Sequence, residues 1–143
     1  MSSVRSRQAP ISTPASAASV FSALLLTEIG EERFFVLPLD GNGKVLADPI
    51  LVSVGHEDGT AQIDIATVFR EALKAGAEEI IVAHNHPSGD LQPSKEDIEI
   101  TERLIETGKL LGIRVLDHLV LGSPTSDKGQ GFVSIRNLAI INF

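Results

Sequence analysis

The chain has 143 residues, enough for one domain with a single core, and 43% of them are hydrophobic. No apolar run approaches the roughly 18 residues of a membrane helix, and the lack of cysteine excludes a disulfide framework and thiolate metal ligands, which suits a cytoplasmic protein. The net charge of −7 argues against a nonspecific nucleic-acid surface, the more so as Arg5 and Arg7 lie in an acid-free tail and all six aromatics are Phe.

Residues 1 to about 18 are rich in Ser, Ala, Pro and Gln without a periodic apolar face, so a disordered extension is expected there, with the domain running from 19 to 143. Arg5 and Arg7 ahead of Ala17 to Leu26 have the outline of an export signal. Pro10 and Pro14 interrupt the approach, however, Glu28 follows closely, and no convincing small-residue cleavage site follows the apolar stretch. Val20 to Thr27 is expected as a short helix packed on a sheet. Phe34-Phe35-Val36-Leu37-Pro38-Leu39 is a strand whose proline suggests an edge or a bulge. Asp40-Gly41-Asn42-Gly43 is a turn, and Lys44 to Val54 returns as a hairpin partner broken near Pro49. Glu31 and Glu32, taken alone, are charges before a strand.

Gly55 to Thr60 is a polar connection; His56, Glu57 and Asp58 are adjacent in a loop and do not converge on one point. Asp64 caps a helix whose apolar face is Ile65, Val68, Phe69, Ala72 and Leu73, ending at Gly76. Glu79 to Ala83 then forms a short buried strand. Because side chains two apart on a strand share a face, His84 and His86 project together. Pro87, Gly89 and Pro93 force a loop, and Ser94-Lys95-Glu96-Asp97 has the serine-x-x-acid spacing of a helix start. Asp97 therefore lies in the first helical turn, where its carboxylate can face back to the histidines. Two imidazoles and a carboxylate are three ligands that leave a tetrahedral zinc ion one open position. Ser94 and Asp97 also suffice as a capping box, and the two roles are compatible.

The second helix turns Ile98, Thr101, Leu104, Ile105, Leu110 and Leu111 inward and stops at Gly112, with Glu96, Glu99, Glu102, Arg103, Glu106 and Lys109 as a solvated face. Ile113 to Leu121 alternates as a strand broken by Asp117-His118, a pair expected to hold neighbouring groups by hydrogen bonds. Ser123 to Gly131 is a loop, and Phe132 to Ile135 and Leu138 to Phe143 are expected as closing β structure.

The residues His84, His86, Pro87, Ser94 and Asp97 resemble the JAMM motif of the JAB/MPN metalloproteases without a gap. The longer string His84-Asn85-His86-Pro87-Ser88-Gly89, with Pro93-Ser94, Asp97 and Val115-Leu116-Asp117-His118, is similar to the RadC-like branch over residues 19 to 140. The resemblance implies an α/β (α+β) fold, a mixed, mostly antiparallel sheet flanked by helices as in the cytidine-deaminase-like JAB/MPN domain. It implies one Zn2+ per chain on His84, His86 and Asp97, and a glutamate base at the start of the first strand, which the spacing to Asp40 places on Glu32. Iron, manganese and cobalt suit the same ligands. Ser94 is expected to stabilise an oxyanion, and the implied reaction is hydrolysis of a peptide or isopeptide bond in a peptide or protein substrate. A metal-stabilised interaction module without turnover is the alternative, and a RadC-type DNA-repair role a third. Against that third reading, longer members carry a helix-hairpin-helix segment before the domain that is not recognised in residues 1 to 18. A homodimer is compatible with all three.

Overall fold

The computed structural model describes residues 10–25, 31–55, 63–86, 90–122 and 131–143. Helix α1 spans Pro14–Leu25, followed by β1 (Glu32–Leu39), β2 (Ile50–Gly55), α2 (Ile65–Lys74), β3 (Glu79–Asn85), α3 (Lys95–Leu111), β4 (Arg114–Leu121), β5 (Phe132–Ser134) and the single turn α4 (Ile135–Leu138). Five strands form one sheet in the order β2-β1-β3-β4-β5. Three pairings are antiparallel, and β3 with β4 is parallel. A parallel pair requires a crossover, and α3 is that crossover. The expected mixed, mostly antiparallel sheet with flanking helices is the fold observed. No helix among the described residues is long and apolar enough to cross a membrane.

Both faces of the sheet are covered, which explains why its central strands read as nearly continuous apolar runs. On one face Phe35, Leu37, Leu39, Ile81, Ala83, Leu119 and Leu121 pack with Ala17, Val20 and Phe21 of α1. On the other, Phe34, Val36, Ile80 and Val82 meet Val68, Phe69 and Ala72 of α2 and Leu104 and Ile105 of α3. The alternation of odd and even positions along β1 assigns each residue to its layer. The histidine face is the second one, under α2 and α3.

Four expectations are corrected. Helix α1 starts at Pro14 rather than Val20, so the boundary at residue 18 falls inside it. Thr13 accepts from Ser16 N at 3.0 Å, a cap followed by proline at the first helical position. Strand β1 lies inside the sheet despite Pro38, because on its β2 side the regular ladder ends at Val36 opposite Ile50. There the Pro38 carbonyl accepts from Leu46 N at 2.9 Å and no donor is needed. The irregularity falls instead between Phe34 and Phe35. At the C-terminus only Phe132–Ser134 is a strand; Ser134 accepts from Asn137 N and turns the chain into α4, so Leu138 to Phe143 adds none. Residues 56–62, with His56, most of the 123–131 loop, and Pro87 to Gly89 lie outside the described residues.

Candidate metal centre

The site is assembled by register. Phe34 of β1 stands opposite His84 of β3, so Glu32, two residues earlier on the same face, falls beside His86. Glu31 is turned the other way and pairs with Arg33 at 3.0 Å. Asp97 comes from α3, where Ser94 is the N-cap: its hydroxyl accepts from Asp97 N at 3.1 Å and the Asp97 carboxylate accepts from Ser94 N at 2.8 Å. The reciprocal cap orients the carboxylate back toward β3, so capping and site geometry coexist.

The imidazole Nε2 atoms of His84 and His86 are 3.0 Å apart. Asp97 Oδ1 lies 3.2 Å from His84 Nε2, and its Oδ2 lies 3.3 Å from His86 Nε2. A tetrahedral zinc with bonds of about 2.0 to 2.1 Å separates its ligand atoms by roughly 3.3 to 3.4 Å, so the spacing of the two Nε2 atoms, and of each from the nearer Asp97 oxygen, matches that of zinc ligands to within a few tenths of an ångström. Glu32 completes the group: one ligand atom from each of Glu32, His84, His86 and Asp97 lies within 4.8 Å of the others. His86 Nδ1 faces the Asp90 carbonyl at 2.6 Å, an acceptor only, so that nitrogen carries the proton and Nε2 presents a lone pair to the centre. His84 is 1% exposed, whereas the side chains of His86 and Asp97 are 17% and 14% exposed. The cluster therefore has a buried floor and an open rim.

The charges reinforce one another. Burial works against an ionised Asp97, yet the imidazoles of His84 and His86 beside its two oxygens, which can donate to it when protonated, overcome it and hold the carboxyl well below the usual carboxylate range. The bond to Asp97 raises His86, partly offset by burial. Beneath the site Phe34 stacks on His84 at 5.9 Å between ring centroids, 9° from parallel, and meets His118 edge-on at 5.4 Å.

The register of β3 with β4 shifts between Ile80 and Ile81, which pair with Val115 and Asp117 and leave Leu116 as an extra residue. This bulge splits the Asp117-His118 pair. His118 joins the site, with Nε2 2.7 Å from His84 Nδ1 and Nδ1 2.6 Å from Thr101 Oγ1. Burial pushes His118 well below the ordinary histidine value. Asp117 serves the far side, accepting from Ser134 Oγ at 2.6 Å and Arg136 N at 3.2 Å, and burial pushes its carboxyl up despite these bonds. Thr101 was legible only as an inward helix position and Asn85 only as the residue between two histidines. Asn85 accepts from Arg33 N at 2.7 Å and donates to the Glu31 carbonyl at 2.9 Å.

A comparison with known families matches residues 11–139 to the RadC-like JAB domain. Over 117 residues, 80% of this chain, it is 43% identical to a UPF0758 protein of Trichormus variabilis, covering 46% of that protein. A UPF0758 protein of Methanosarcina mazei is 42% identical over 110 residues, 76% of this chain and 47% of its own length. That of Caldanaerobacter subterraneus is 40% identical over 115 residues, 80% of this chain and 46% of its own. The chain thus spans about half the length of these relatives. By fold, by the His84/His86/Asp97 cluster and by these matches, the chain belongs to the RadC-like JAB domain family.

Proposed function

We propose that the chain is a zinc-dependent hydrolase of the JAMM type that cleaves a peptide or isopeptide bond. The observation that carries this is the convergence of His84 Nε2, His86 Nε2 and the Asp97 carboxylate at 3.0 to 3.3 Å, with Glu32 beside them. His84, His86 and Asp97 would hold the ion. When bound, zinc supplies a Lewis acid that polarises the scissile carbonyl and brings the pKa of water down toward about 7.

The remaining work falls to the chain's own groups. Glu32 accepts the proton of the attacking water and passes it to the leaving amine. The Ser94 hydroxyl accepts from Asp97 N, so its own hydrogen is left to donate to the developing oxyanion. The open rim at His86 and Asp97 is the side from which a peptide or protein substrate enters.

The test is a peptide-hydrolysis screen of the zinc-loaded protein beside Glu32→Gln. The variant should keep its zinc and lose about 10²- to 10⁴-fold in rate. Equal rates in both proteins would refute Glu32 as the base, and no turnover of any peptide or isopeptide would favour an interaction module.

A further inference from the structure

We propose that Thr101 and His118 are positioning residues forming a one-directional hydrogen-bond relay that ties two metal ligands from different elements, His84 of β3 and Asp97 of α3. The relay rests on the metal reading above. Thr101 Oγ1 has one hydrogen, and the Asp97 main-chain carbonyl, 2.6 Å away, can only accept it. The same oxygen must then accept from His118 Nδ1, at 2.6 Å. Proton placement on Nδ1 leaves His118 Nε2 with a lone pair, which faces His84 Nδ1 at 2.7 Å. His84 therefore carries its hydrogen on Nδ1 and presents the Nε2 lone pair to Asp97 and His86, as metal ligation requires. Every hydrogen in the chain from His84 to Asp97 is placed once, with none left over.

A back-bond from threonine to the carbonyl four residues earlier is ordinary in a helix. The imidazole on its other side is not, and both Thr101 and His118 are fully buried. A histidine ligand more often leans on a carboxylate or a carbonyl. Here the partner is a neutral ring, so it fixes the tautomer without placing a second negative charge beneath the ion. Asp97 remains the anionic ligand among the three.

Thr101→Val and Thr101→Ser separate this role from packing, because valine keeps the shape and loses the hydroxyl while serine does the reverse. Zinc affinity by chelator competition should fall about 10- to 100-fold in Thr101→Val and stay within about threefold of wild type in Thr101→Ser. Imidazole 15N shifts of the zinc-loaded wild type should show hydrogens on Nδ1 of both His84 and His118. Zinc binding by Thr101→Val as tight as by Thr101→Ser or tighter, or a hydrogen on His118 Nε2, overturns the relay while leaving the metal site standing. A wild type that takes up no zinc overturns both.

Discussion

Asn85 sits between the two histidines in sequence but points to the opposite face, where its amide grips the main chain on both sides of Glu32. Regular pairing of β1 with β3 ends at Phe34 and His84, so these two bonds continue it one residue further. Asn85→Ala should cost about 1 to 3 kcal/mol in urea unfolding and lower hydrolysis while zinc stoichiometry holds, because Glu32 and not the ligand set is released. Retained hydrolysis would show that Glu32 needs no such clamp. The alternation of histidines was legible because strand periodicity is local. Asn85 and Thr101 were not, since their partners lie 52 and 17 residues away in sequence. Asp117 gives a pH prediction. Its native pKa is raised, so its contribution is full below the unfolded value and lost as pH rises through the native one. Wild type should therefore lose stability relative to Asp117→Asn as the pH rises above the ordinary carboxylate range. Urea titrations from that range upward check it; a difference moving the other way would mean the hydrogen bonds outweigh burial.

Helix α3 links the site to the core at both ends. Its start holds Asp97, and it stops at Gly112, whose φ of 73° is the left-handed conformation glycine adopts freely. Ahead of it Gly108 is buried against the main chain leading into β4: a Cβ there would run into the Ile113 carbonyl. Helix propensity favours alanine at such a position by about 1 kcal/mol. The contact reverses the sign, and Gly108→Ala should destabilise by about 1 to 3 kcal/mol in urea unfolding. A more stable variant would show that α3 can shift without cost. The stop at Gly112 and the Ser94 cap could be read from sequence because they are local. The start of α1 was obscured by a Ser/Ala/Pro composition in which Thr13-Pro14 and the stripe Ala17, Val20, Phe21 nevertheless carry a helix signal. Strand β1 was harder still: whether Pro38 lies at an edge depends on where β2 departs, which no local pattern states.

Across the whole molecule, the site joins β1, β3 and α3, with β4 beneath, so bound metal should stabilise the fold globally. At a free zinc concentration about 100-fold above Kd the gain is about 2.7 kcal/mol, or roughly 8 to 12 °C in Tm for a chain of this size. Differential scanning calorimetry with and without a chelator checks this, and an unchanged Tm would mean that the folded chain does not take up the metal in preference to the unfolded one. The metal ligands are the part of the account on which the relay and the chemistry both depend. The most direct test is zinc content by plasma mass spectrometry on purified wild type, His84→Ala and Asp97→Ala. About one zinc per chain in wild type, lost in both variants, is the predicted result. No zinc in wild type after reconstitution, or zinc retained in both variants, would contradict it.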